Sequence, residues 1–406
     1  MTENWREELR RRAERALDKP SPYGEDIDLS KYVEVKPSSP KMGKDVESQV
    51  ERVGIDLRGA SRSATFFQYD HSVLMLKMFS GIKGLEITDT ESALSTHPWL
   101  REYYWRLVSV DADKYTAAAE LYSTKGYFVR VAEGTKVTIP VQTCLFIGSH
   151  GILQAPHNII IAEPHSEIHI ITGCTAAPWV KDLLHLGISE FYVKRGAKVV
   201  FTMIHSWPEK AYVRPRTGVV VEEGGVFISN YIILRPLKSL QTYPTAWLTG
   251  KGASAKFSSV IYASHSEEVD MGSRVVLKGE AATGEILSKV VATGNAKVVT
   301  RGQLIGEAPG TKAHLECRGL VLCPSASIHS IPEILAKHPE TELSHEAAIG
   351  KLQEEQLYYL MARGVPPEKA ISLLVRGFLD PSLPELPPVL KAEIRKSIMM
   401  LEAAGG

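Results

Sequence analysis

Four cysteines, Cys144, Cys174, Cys317 and Cys323, and the adjacent pair His345 and Glu346 are the side chains of this 406-residue sequence best suited to chemistry. A chain this long buries enough core to fold without disulfides, so the thiols are read as reduced. A thiolate is a nucleophile and a soft metal ligand, while imidazole and carboxylate bind iron as harder, more exchangeable donors. Cys317 is flanked by His314 and Arg318, cations that would lower a thiol pKa and favour the thiolate. Against this stands the commoner fate of a single cysteine in a β-rich core, which is an inert, buried side chain. Cys174, within Ile171 to Thr175, has less local support. Ser344 is positioned to cap a helix, which would put His345 and Glu346 at a helix N-terminus that favours a carboxylate.

Motifs for standard cofactors fail on spacing. Gly306 to Lys312 resembles a phosphate loop, but the second glycine, Gly310, arrives one residue early and lysine does not follow it directly. His345-Glu346 begins a zincin-like motif, yet Ile349 occupies the place of the second histidine. No Gly-x-Gly-x-x-Gly follows a strand, and Cys317 and Cys323 are too far apart for a CxxC site.

These residues sit in a chain with three textures. Residues 3 to 17 are rich in Glu, Arg, Ala and Leu and predict a charged helix, with Pro20, Pro22, Pro37 and Pro40 marking an extended connector after it. A second helical stretch is expected from Leu94 to Leu107. From Gly126 the pattern changes to short apolar or alternating runs, such as Tyr127 to Val131, Ile159 to Ile161 and Val219 to Val221, which predict strands. Small residues leading β-branched or aromatic ones recur at Gly134, Ser166, Gly196, Gly225 and Gly252, at intervals of 32, 30, 29 and 27 residues. A drifting repeat of short strands with almost no helix, and without Asn-Gly or Asp-Gly hairpin turns, favours a β-helix over a β-sandwich. After Pro339 three helices are expected, the last over residues 389 to 402. The divisions are an N-terminal helical or mixed region over 1–115, a β-helix core over 116–340 and a C-terminal helical region over 341–406.

Lysine plus arginine and aspartate plus glutamate both number 47, so bulk charge does not recruit a nucleic acid. The acidic start, Met1 to Glu8, has no apolar core of a secretory signal, and no run of 18 apolar residues could span a bilayer. A cytoplasmic location without membrane attachment is the expectation.

Ile171 to Pro178 around Cys174, followed by His185, Gly196 to Val199 and His205 to Trp207, resembles the central signature of SufB proteins. His345 to Lys351, continuing through Glu355 to Leu360 and Arg363-Gly364, resembles the C-terminal signature of SufB and SufD. The resemblance spans roughly residues 115 to 380 and implies a scaffold for de novo iron–sulfur cluster assembly: a right-handed parallel β-helix with flanking helical regions. It further implies that Cys174 accepts persulfide sulfur and that Cys317 and Glu346 bind the nascent metal cluster, with His345 as a substitute or supporting group. The cluster would be transient and of the 4Fe–4S type. Implied partners are the ATPase SufC, docked on the C-terminal region and supplying all ATP hydrolysis, a second copy or a SufD-like chain, a sulfur donor and recipient apoproteins. A flavin is compatible with the family but has no support in the residues. SufD chains typically lack the cysteine and glutamate, which favours the SufB label and the archaeal or minimal type that pairs one scaffold with SufC. A structural SufD-like partner without a cluster and a carbohydrate-active β-helix enzyme are the alternatives. Cys144, Cys323 and His329 receive no role.

Overall fold

The computed structural model describes residues 4–379, apart from residues 60, 80, 234 and 236. The protein is mainly β, with 45% of residues in strands and 18% in helices, and its centre is a β-solenoid of about 8 turns. From Lys136 onward the chain alternates between a 10-stranded and a 13-stranded sheet, contributing to each in every coil. Stacking between coils is parallel and in register, as in the column Ile168, Val199, Phe227, Ala255, Gly284, Ala313, Leu343 through the first sheet. Such columns follow from the period-2 alternation seen in the sequence, which sends every second residue into the space between the sheets. That space holds the main apolar core, including Ile168, Phe191, Phe227, Phe257 and Leu304.

In the second sheet the early coils are each broken into two short strands, for example His157–Ala162 after Ile152–Gln154 and Arg216–Val221 after Lys210–Val213. The breaks coincide with Pro156, Gly187, Pro215 and Pro244, and proline cannot donate to a ladder. In later coils the strand is continuous, as in Glu268–Leu277 and in Ser327–Ala336, which keeps Pro332 within it. Turns between coils use left-handed glycines: Gly134, Gly196 and Gly252 have φ of 69°, 64° and 64°, values that a side chain would strain.

Two expectations for helices change. Between Leu94 and Leu107 the helix Thr90–Thr96 stops at His97, before Pro98, and gives way to a 3-10 turn, Pro98–Glu102. The chain then folds onto Glu190, whose carboxylate accepts from the backbone N–H groups of Trp105, Leu107 and Val108. At the other end the strand pattern does not stop near 341: Glu342–Lys351 pairs in parallel with Lys312–Val321 along its whole length. Ser344, His345 and Glu346 are therefore strand residues and not a helix start. Helices follow at Glu354–Ala362 and Pro367–Leu379, the second burying Ala370, Val375 and Leu379, with Val375 and Leu379 joining the main core. The helix expected over 389–402 lies outside the described residues. None of the described helices is long and apolar enough to cross a membrane.

Candidate functional site

Cys174 sits on the strand Glu167–Ala176 and is 0% exposed. In the interior columns its neighbours are Leu145 in the coil before and His205 in the coil after. Burial raises its thiol pKa far above the ordinary value, so the resting group is a protonated thiol. Cys144 pairs with Gly173 and shares the opposite face of the sheet, where Val53 and Ile55 pack closely. Its thiol is also raised, by burial first and by Cys174 second.

Around Cys174 the interior is aromatic and imidazole-rich. The His185 Nδ1 lies 3.1 Å from Gln154 Oε1, and its ring packs 5.1 Å from that of Trp207. His205 Nδ1 lies 3.1 Å from the Tyr231 hydroxyl, while its Nε2 is buried without a partner. Burial holds both imidazoles neutral, taking His185 down to about 3 and His205 well below its usual value, with His185 adding to the shift of His205.

Cys317 lies five coils further on, in the interior column Thr172, Met203, Tyr231, Ser259, Ser288, Cys317, Ala347. Strands in a sheet stand about 4.8 Å apart, which puts the two cysteines ~24 Å from each other along the solenoid. Residues of that column line a small enclosed cavity between them, of about 40 Å³, with Tyr231, Ser259 and Ser288 among its polar groups. Cys317 is 3% exposed, and the Thr300 hydroxyl approaches its sulfur at 4.0 Å from the facing sheet. One coil beyond, Ser330 pairs with Thr300 and His345 pairs with Leu315, so both enter the same interior space. The Ser330 Oγ and the His345 Nε2 are buried without partners.

Glu346 does not share that space. Cys317 is opposite Ala347, whereas Glu346 is opposite Glu316, so the carboxylate projects from the outer face of the sheet. The flanking cations also point outward: Arg318 pairs with Glu316, and the His314 Nδ1 meets the Ser344 hydroxyl at 2.8 Å. Neither is directed at the thiol, which removes the reason for expecting them to activate Cys317. Among the described residues no three His, Cys, Asp or Glu side chains converge as a metal site within one chain. Cys323 is partly exposed in a turn, donating to the Gly294 carbonyl at 3.0 Å, and its pKa is lowered, chiefly by the Ser325 hydroxyl. His329 is exposed on the strand Ser327–Ala336.

Spacing alone concealed His205, yet a signal was available: one coil here is 31 residues, so position 205 falls directly on the Cys174 column. The same reasoning places Ala347, and not Glu346, beside Cys317, because that coil is 30 residues long.

The fold and these sites define a β-solenoid protein with three buried thiols, of which Cys174 stacks against His205 and Cys317, at a well-separated coil, lies one coil from the interior-facing His345. Residues 145–378 match the family model described as the SUF system FeS cluster assembly SufBD core domain. A SufBD family iron–sulfur cluster assembly protein of Archaeoglobus fulgidus is 46% identical over 362 residues, covering 89% of this chain and 96% of its own. One from Methanothermobacter thermautotrophicus strain Winter is 42% identical over 401 residues, covering 96% and 97%. A more distant one from Staphylococcus aureus strain MRSA252 is 28% identical over 384 residues, covering 91% and 82%. The chain belongs to the SufBD family of iron–sulfur cluster assembly proteins.

Proposed function

We propose that the protein is a SufB-type scaffold: sulfur enters as persulfide at Cys174, and a nascent cluster is held at the last coils by Cys317 with His345 and Glu346. The observation that carries this reading is that Cys317 and, one coil on, His345 with its unpartnered Nε2 both face the interior at the last described coils of the solenoid. Thiolate and imidazole are both iron ligands, and an incomplete set suits a cluster that must leave again. Glu346, on the outer face, would serve iron approaching from outside the sheet or from a second chain.

The cluster is substrate here, and the remaining ligands come from a second copy or a SufD-like partner across the exposed end strands. SufC docks on the C-terminal helices and hydrolyses ATP, a sulfur donor and recipient apoproteins act in turn, and the assembly works in the cytoplasm. Cys174 and Cys317 then mark entry and assembly points, joined through the hydroxyl-lined interior column.

The test is anaerobic reconstitution with ferrous iron and sulfide, followed by absorption and Mössbauer spectroscopy with and without SufC. A 4Fe–4S spectrum in the wild type that disappears in Cys317→Ala is the expected result. A Cys317→Ala protein with a normal cluster spectrum would move the assembly site elsewhere, and a wild type that forms no cluster would leave a structural SufD-like role.

A further inference from the structure

We propose that His205 is the proton acceptor for Cys174 when that thiol takes up sulfane sulfur, an inference that rests on the reading of Cys174 as the sulfur acceptor. The two residues are direct partners in the parallel ladder between Glu167–Ala176 and Lys198–Ser206, and both project into the interior. Strands about 4.8 Å apart stack such side chains one on the other. His205 is 1% exposed, and its Nε2 is a buried ring nitrogen with no hydrogen-bond partner. Native interiors rarely leave such a group orphaned unless something arrives to use it.

The surroundings fix which nitrogen is free. Tyr231 holds Nδ1 at 3.1 Å and packs its ring 5.0 Å from the imidazole, and Trp207 packs at 5.6 Å. In the tautomer whose Nδ1–H donates to the Tyr231 oxygen, which the proposal requires, Nε2 keeps its lone pair and can accept a proton. The titratable groups facing His205 are Cys174 from the preceding coil, Tyr231 from the following coil and His185 from the second sheet. None supplies a competing carboxylate. A buried, protonated thiol is a poor nucleophile without a local base; burial keeps this imidazole neutral and disfavours both ions, so the proton must pass to it in concert with attack.

The step balances without an oxidant or a reductant. Nε2 takes the proton of the Cys174 thiol as its sulfur attacks the outer, sulfane sulfur of a persulfide donor, so no free thiolate has to form in the interior. A new S–S bond forms at Cys174 as the donor's S–S bond breaks. The donor leaves as a thiolate and collects the proton from the imidazolium, so one sulfur atom has moved and His205 is regenerated.

The test uses the full chain, sodium polysulfide as the donor and peptide mass spectrometry of Cys174, reading the gain of one sulfur atom against time. Wild type should react at a rate that is flat between about pH 7 and 9, because the base is already unprotonated and the thiol is not yet ionised. His205→Gln should react ~100-fold more slowly near pH 7, and its rate should rise ~10-fold per pH unit as hydroxide replaces the lost base. Tyr231→Phe keeps the imidazole but frees Nδ1, and should give a smaller, several-fold loss. Melting curves of all three proteins report whether each variant folds, and Tyr231→Phe decides if His205→Gln does not. Rates equal to wild type, or a loss that is the same at every pH, would overturn the role. If wild-type Cys174 gains no sulfur at all, the sulfur-acceptor reading fails first and this inference falls with it.

Discussion

A single residue of register separates Glu346 from the space that holds Cys317, and in a strand one residue is a change of face. His345, on the other hand, faces the interior one coil beyond that thiol, opposite Leu315, with its Nε2 unsatisfied. The family resemblance ranks Glu346 above His345, whereas the geometry reverses that order within one chain. His345→Ala should therefore lower iron bound per reconstituted chain more than Glu346→Ala does, with Cys317→Ala lowest of all; an iron and sulfide assay on the three variants reads this directly. Cys174→Ser should separate the two thiols, blocking sulfur uptake from a persulfide donor while leaving reconstitution with free sulfide intact.

A second residue sets a pH dependence. Glu267 is 2% exposed, its carboxylate oxygens make no hydrogen bond of good geometry, and burial pushes its carboxyl up to about 8, with weak donation from Ser264 and the Leu237 backbone offsetting only part. Its folded pKa lies above the unfolded value of about 4.3, so the native state holds a proton that the unfolded chain has lost. Stability from this group is then present at low pH and declines as pH rises towards 8, by up to about 1.4 kcal/mol per unit. Glu267→Gln removes the decline. Urea unfolding should show variant and wild type alike near pH 4, with the variant the more stable near pH 8; equal stabilities at both would mean the carboxyl ionises freely.

At the scale of elements, the solenoid was legible because its physical causes are local. Apolar residues at alternate positions over Tyr127–Val131 and its successors, glycines where the backbone must turn left-handed, and the recurrence near 30 residues all point to stacked coils. The last coil was not legible. Glu342–Lys351 reads Glu-Leu-Ser-His-Glu-Ala-Ala-Ile-Gly-Lys, rich in helix formers and poor in β-branched residues, and only its ladder with Lys312–Val321 makes it a strand. Tertiary pairing overrode propensity there, and it took the face of Glu346 with it. Leu94 to Leu107 failed for a similar reason, since the acceptor that holds Trp105, Leu107 and Val108 out of a helix is Glu190, more than 80 residues away.

The two described helices after the last coil also divide their work. Pro367–Leu379 buries Val375 and Leu379 in the main core, so cutting the chain at Gly364 would expose apolar surface on the solenoid itself. Glu354–Ala362 buries nothing and leaves Tyr358 and Tyr359 about 60% exposed. Adjacent exposed tyrosines are a common anchor of protein interfaces. If SufC docks here, the double substitution of Tyr358 and Tyr359 by serine should weaken its binding more than ~10-fold in a titration, with the melting temperature unchanged.

For the whole molecule, the ends of the solenoid pose the same problem, because a stack of strands must finish with backbone groups that pair with nothing. Among the described residues the strands Ser327–Ala336 and Glu342–Lys351 end the stacked coils, each pairing with the coil before it and with no later strand. Ile334, Leu335 and Ile349 on them are 43%, 47% and 39% exposed. Unpaired edges that also carry apolar side chains favour burial against another protein surface, and a second copy offers the same edges in the same order. About a twofold axis, residues of both last coils would approach one another, so that Cys317 and His345 of each chain could complete a ligand set that neither chain assembles alone. Replacing Leu335 by lysine places charge on the outward face of this edge, away from the interior pair. Sedimentation should then show a monomer in place of a dimer, and reconstituted iron should fall together with dimer content as protein concentration is lowered. A monomeric variant that still holds a full complement of cluster would mean that one chain suffices, and the pairing of edges would lose its functional reason.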